Sequence, residues 1–172
     1  PEDYLVVNFD TLANNAFFRN VNAQVYWYSR RSFVSLGIIN EVQGTHFHEK
    51  KIHSNIHYHS EFRVGKMRIV GVENRENLLS AITAAKALNI ADVSIQNFIQ
   101  KFPGIPHRIE FVIEKNGVSF YNDSKSENMA QMAKSLRAFK KPVILIAGGK
   151  DTEQEYDEFY DDVSEHVRVM VL

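Results

Sequence analysis

Between residues 118 and 172, short apolar runs alternate with stretches of helical periodicity, and this limits the possible folds more than any other feature of the chain. Residues 118–121 read as a strand, 126–139 as a helix, 143–147 as a continuously apolar strand, 153–163 as a helix and 167–172 as a strand. The β-α-β-α-β order is the start of an open parallel sheet in an α/β fold. A further strand at 109–113 is joined to 118–121 by a turn at Lys115-Asn116-Gly117.

Upstream, Pro103-Gly104-Ile105-Pro106 interrupts the periodicity and is the best candidate for a domain boundary, giving domains at 1–105 and 106–172. Before it, Ile95, Phe98, Ile99 and Phe102 recur at three-four spacing as one helix. Residues 74–88 form another, with Leu78, Ile82 and Ala85 on one stripe and Ala81, Ala84 and Leu88 beside it. The run 4–9 ends in polar residues, as a buried strand does at a sheet edge; a short helix from about Thr11 and a strand over 23–28 follow. From 33 to 69, short alternating pieces broken by Gly37, Gly44 and Gly65 read as an antiparallel meander.

Twenty Lys and Arg stand against 21 Asp and Glu, so the basic footprint that nucleic acid or an anionic membrane would require is missing. With no cysteine there is neither a disulfide framework nor a thiolate metal site, a composition that suits the cytoplasm. The longest apolar runs are strand-length, with no signal or spanning segment. The chain opens at Pro1 without a methionine and closes on an apolar strand. We therefore expect a fragment, able to self-associate through its unfinished sheet.

Ligands of open α/β sheets bind beyond the carboxyl ends of strands, where Asn122-Asp123-Ser124-Lys125 and Gly148-Gly149-Lys150-Asp151 both fall. An aspartate there can accept from ribose hydroxyls, and Lys125 with a helix amino terminus offers positive potential to a phosphate or carboxylate. Capping boxes, Ser124 with Glu127 and Thr152 with Glu155, account for the same residues structurally. Arg108, after His107 at a strand start, can fork onto phosphate oxygens or simply pair with Glu110 or Glu127. Asn74 and Asn77 share a face of the first helical turn and could read an adenine edge, or merely cap.

His46, His48, His53, His57 and His59 crowd one stretch. Each His-x-His pair would put two imidazoles on one strand face, as metal ligands require. A solvated hairpin explains them adequately, with Glu49 the one acidic partner in the pattern, and we assign no resident metal here. No Gly-x-x-x-x-Gly-Lys-Ser/Thr phosphate loop occurs, and Gly148-Gly149-Lys150 lacks both its spacing and its hydroxyl.

Several of these motifs, in this order, resemble the Mur ligases of bacterial cell-wall synthesis. Val7-Asn8-Phe9-Asp10 resembles a strand end of that family's ATPase domain. Gly71-Val72-Glu73-Asn74-Arg75-Glu76-Asn77 resembles Gly-x-His-Asn-x-x-Asn, and Gly104-Ile105-Pro106-His107-Arg108 resembles Gly-x-Pro-His-Arg. Ile146-Ala147-Gly148-Gly149-Lys150-Asp151 resembles Ile-Ala-Gly-Gly-x-Asp. Asn122-Asp123-Ser124-Lys125 favours the D-glutamate-adding branch. The resemblance implies the end of a P-loop-type ATPase domain, a mixed sheet with an antiparallel meander, followed by the first half of a Rossmann-like parallel-sheet domain that binds the amino acid.

It further implies ATP and Mg2+, the magnesium ligands lying outside this sequence, and UDP-N-acetylmuramoyl-L-alanine and D-glutamate as substrates, in the cytoplasm. Asn74 and Asn77 would approach adenine, Arg108 the γ-phosphate and Asp123 the ribose. Lys125 would face the reaction centre, with Ser124 and His107 on the substrate side. The family's reaction passes through an acyl phosphate, and this stretch alone should not turn over. Glu73 stands where the family has histidine, Glu127 where it has threonine and Thr152 where it has Lys or Arg. The last two add a carboxylate and remove a cation near the expected amino-acid carboxylate, which weakens its binding. The alternatives are a folylpolyglutamate-synthetase-type ligase, a divergent non-catalytic binding module, or a histidine-rich metal-binding domain.

Overall fold

The computed structural model describes residues 3–11, 18, 21–65, 71–149 and 159–172. The chain forms two compact units, Pro1–Met67 with Glu73–Phe102, and Arg68–Val72 with Pro103–Leu172. The helix expected from Thr11, most of that expected over 153–163, and Lys150, Asp151 and Thr152 lie outside the described residues.

The first unit holds a mixed five-stranded sheet in the order β1-β2-β3-β4-β5. β1 (Tyr4–Asn8) and β2 (Gln24–Ser29) are parallel, as are β2 and β3 (Gly44–His48). β4 (Lys51–Ser54) and β5 (Ser60–Arg63) continue antiparallel, so the expected meander is present but occupies 44–63, with turns before it. Gly44 faces Trp27 in the ladder, and a Cβ there would collide with the Trp27 carbonyl oxygen, so glycine is required for β3 to close on β2. The β3-β4 turn places Glu49 and Lys50 at φ 46° and 64°, the conformation of a two-residue hairpin loop, although neither is the usual Asn or Gly.

Strand alternation sorts the two faces of the meander. Ile52 and Phe62 oppose one another on the face that meets helix α1 (Val72–Ala87) and helix α2 (Asp92–Lys101). With Leu78, Leu79, Ile82, Ile95 and Ile99 they make the main core, each large side chain worth about 1.5–3 kcal/mol on burial. The opposite face carries His46, His53 and Glu61, paired in register across β3, β4 and β5.

The stripe expected on α1 is rotated. Leu78 and Ile82 are buried as anticipated, but Ala81 and Leu88 are exposed, while Leu79, Thr83 and Lys86 are buried. Tertiary partners cause the rotation: Thr45 and Thr83 both donate to the Leu79 carbonyl, and Lys86 Nζ bonds Ser60 Oγ at 3.0 Å and Asp92 Oδ1 at 2.8 Å. On α2, Ile95 and Ile99 are buried, whereas Phe98 is half exposed and stacks on Phe102.

The second unit holds β6 (Glu110–Lys115), β7 (Val118–Asn122), α3 (Met129–Leu136), β8 (Val143–Ile146), α4 (Tyr160–His166) and β9 (Val167–Val171). Asn116 and Gly117, both at positive φ, turn β6 back onto β7, and a turn this tight makes the pair antiparallel. Within this unit parallel pairing is confined to β8 and β9, so its described strands form two separate two-stranded sheets rather than one open parallel sheet. Arg137, at the end of α3, grips Asp162 of α4 with two guanidinium bonds of 2.5 and 2.7 Å. Among the described residues no helix is long and apolar enough to cross a membrane.

The capping box expected at Ser124 and Glu127 does not form. Asn128 caps α3, its Oδ1 accepting from Gln131 N at 2.9 Å, while Gln131 Oε1 accepts from Glu127 N at 3.0 Å. Asp123 accounts for the later start: its Oδ2 accepts from Ser126 Oγ and folds 123–126 into a turn of its own.

Candidate functional site

In the second unit, the residues around 107 and those around 123 are brought together by backbone bonds. Lys125 N donates to the His107 carbonyl at 3.0 Å, and Ile109 N donates to Asp123 Oδ1 at 2.8 Å. His107 Nδ1 lies 2.9 Å from Asn122 Nδ2, and Ser124 N donates to Asn122 Oδ1 at 3.1 Å. Two segments thus bring His107, Arg108, Asn122, Asp123, Ser124 and Lys125 together at the open end of the β6-β7 hairpin.

Residues 107 and 108 do not open β6, which starts at Glu110; they form a strained turn before it. His107 and Ile109 take φ 65° and 44°, and a β-branched residue in the left-handed region is a genuine outlier. Burial of Ile109 and the bond from its N–H to Asp123 hold it there. The Glu110 carboxylate accepts from His107 N at 2.8 Å. Among the described residues Arg108 pairs with neither Glu110 nor Glu127, and its guanidinium, like the Lys125 ammonium, is exposed. Two cations with no carboxylate partner among the described residues, beside a cluster of polar groups, suit a phosphate or carboxylate ligand.

Asp123 has a second task that sequence reasoning missed. Both carboxylate oxygens already accept an internal bond, so any ligand hydroxyl would share it as an additional donor. The adjacency of Asp123 and Ser126 was visible in the sequence; the Ile109 partner was not.

In the first unit, the carboxyl ends of parallel β1 and β2 meet the first turn of α1. Asp10 takes Ser29 Oγ and Arg30 N, each at 2.7 Å, and Arg31 Nε at 3.0 Å. Arg30 Nε reaches Glu76 at 2.6 Å. Burial raises the Asp10 carboxyl, but the bonds from Arg30 N, Ser29 and Arg31 outweigh it and hold the group below its ordinary range. Asn74, half-buried, and Asn77, exposed, share that turn with Glu76. The Glu73 side chain lies outside the described residues.

Mg2+ prefers hard oxygen ligands in octahedral array. Among the described residues the group with metal-ligand spacing is His53, His59 and Glu61, which is imidazole-rich and does not fit that ion.

No family model matches the chain. In sequence it is 33% identical over 171 residues to the UDP-N-acetylmuramoylalanine–D-glutamate ligase of Caldanaerobacter subterraneus subsp. tengcongensis, covering 99% of this chain and 36% of that protein. It is 34% identical over 174 residues to the ligase of the same name from Pelotomaculum thermopropionicum, covering 100% and 37%. In fold it is similar to a solved UDP-N-acetylmuramoylalanyl-D-glutamyl-2,6-diaminopimelate–D-alanyl-D-alanyl ligase from Acinetobacter baumannii, with a TM-score of 0.62 at 16% identity, over 98% of this chain and 37% of that one. The chain therefore spans 36–37% of the length of these curated relatives.

Proposed function

This chain belongs to the Mur ligase family, and we propose on that premise that it serves an ATP-dependent ligase joining D-glutamate to UDP-N-acetylmuramoyl-L-alanine in the cytoplasm. The observation that carries the reading is the Asp123 clip, which gathers exposed Arg108 and Lys125 beside His107 and Ser124. The domain reading goes with it: residues 1–105 close an ATP-binding domain, and 106–172 begin a Rossmann-like domain for the amino acid.

In that reading a carboxylate oxygen of the muramoyl-alanine attacks the γ-phosphorus, the bond to the ADP oxygen breaks, and an acyl phosphate forms. The D-glutamate amine then adds to the acyl carbon, loses a proton, and phosphate departs with its bonding electrons to leave the amide. Arg108 neutralises charge on the transferred phosphoryl group, and Lys125 stabilises the oxygen that becomes negative in the tetrahedral intermediate. Asp123 orients the turn and accepts from ribose, Ser124 and His107 line the substrate side, and Asn74 and Asn77 read adenine. No step is routed through magnesium, since the residues described do not fit it. Glu127 is exposed beside the α3 cap, and its charge opposes a substrate carboxylate.

The test uses the polypeptide encoded by the complete reading frame, supplied with ATP, magnesium and UDP-N-acetylmuramoyl-L-alanine. Phosphate release that requires D-glutamate supports the reading. Release that requires a different amino acid, or none from a protein that still binds ATP, contradicts it.

A further inference from the structure

The histidine stretch is not a loosely solvated hairpin. Register places His46 opposite His53, and His53 opposite Glu61, so a row runs across β3, β4 and β5 on the face turned away from α1. His48 and His59 lie two residues from His46 and Glu61 and share that face. The rings touch: His46 stacks on His53 at 5.6 Å between centroids, and His53 stands 5.5 Å from His48 and 5.7 Å from His59. His57 does not join them; it lies against Tyr26.

Three buried ring nitrogens in this row, Nδ1 and Nε2 of His46 and Nε2 of His53, have no hydrogen-bond partner among the described residues. A buried ring nitrogen without a partner is costly, and of these three only His53 Nε2 belongs to a residue that could share a ligand with His59 and Glu61. Glu61 supplies the negative charge. Its Oε2 is held by Lys51 at 2.6 Å, and its Oε1 lies 3.8 Å from His53 Nδ1.

We propose that His53, His59 and Glu61 bind one divalent transition-metal ion of the zinc class. Each offers a ligand atom, and the three atoms lie within 4.8 Å of one another. Tetrahedral zinc needs about 3.3 Å between donors, a difference that rotation of the exposed His59 and Glu61 side chains closes. Two imidazoles and a carboxylate suit zinc, and the calcium and magnesium class is disfavoured by the nitrogen donors. Stacking against His46 and the Lys51 bond to Glu61 orient the ligands from behind, as outer partners of metal sites do. An ion here would tie β4 to β5 and to the residue preceding it, a structural role independent of the ligase chemistry.

Titration of the 172-residue chain with Zn2+ against a competing chelator dye tests this. One ion per chain is expected, with a Zn2+-dependent rise in melting temperature and, for Co2+, the ligand-field absorption of a four-coordinate site. His59→Ala and Glu61→Gln, both at exposed positions that leave the core intact, should each weaken binding by at least about tenfold. His57→Ala should leave it unchanged. Absence of saturable binding, or an affinity in His59→Ala or Glu61→Gln equal to that of the parent chain, would overturn the proposal.

Discussion

Asp123 accepts the backbone N–H of Ile109 at 2.8 Å and thereby fixes the turn that carries Arg108 against the loop that carries Lys125. Ile109 needs this bond, since φ 44° is unfavourable for a β-branched residue. Asp123→Ala removes the acceptor for both Ile109 N and Ser126 Oγ and should cost about 1–3 kcal/mol in denaturant unfolding. Asp123→Asn, which keeps an acceptor oxygen, should cost less. Equal stability of Asp123→Ala and the parent chain would show that the clip holds nothing.

Asp10 makes stability pH-dependent. Its folded carboxyl sits below the ordinary value of 3.8 because bonds from Arg30 N, Ser29 and Arg31 outweigh the opposing effect of burial. A depressed carboxyl contributes stability above the unfolded value and loses it as pH falls through the folded one. Unfolding free energy should therefore drop from about pH 4 downward, and more gently in Asp10→Asn. Parallel pH profiles for the two proteins would contradict this.

How much could be read from the sequence depended on whether the partners were local. Strands at 4–8 and 24–29 and the α1 segment were legible because apolar periodicity needs no knowledge of neighbours. The buried face of α1 was not, because Lys86 is drawn inward by Ser60 and Asp92, residues that periodicity treats as polar surface. The histidines stood out in the sequence, yet their acidic partner did not. Glu49 was the adjacent candidate, while Glu61 arrives through a register that only the folded sheet fixes. Likewise the motif residues of the second unit were visible one by one, but the bond that joins Asp123 to Ile109 spans the whole β6-β7 hairpin.

Lys86 and Asp92 should respond unequally to substitution. The Lys86 side chain is 1% exposed, bonded to Ser60 and Asp92, with its ammonium 3.7 Å from the centre of the Tyr58 ring. Asp92→Asn leaves a buried cation without its counter-charge, whereas Lys86→Met removes the charge and keeps the packing. Asp92 is over a third exposed, so its loss should cost less than the roughly 3 kcal/mol lower bound for fully buried pairs, but more than Lys86→Met. Thermal unfolding of the two variants decides the order.

Gly44→Ala should separate β2 from β3. The added methyl would lie 1.8 Å from the Trp27 carbonyl oxygen, which backbone cannot vacate without breaking the Trp27–Gly44 pairing. Hydrogen exchange should show lost protection along β2 and β3 with the Asn116-Gly117 hairpin of the other unit unaffected. Retained protection in β2 would refute the close approach.

The ligase account is tested most directly by the fate of one oxygen atom. With 18O in the carboxylate of UDP-N-acetylmuramoyl-L-alanine, the complete enzyme, ATP, magnesium and D-glutamate, an acyl phosphate requires one labelled oxygen to leave in the inorganic phosphate. Mass spectrometry of that phosphate should find one 18O per turnover, together with the new amide. Amide formed with unlabelled phosphate, or phosphate released with no D-glutamate incorporated, would contradict the account.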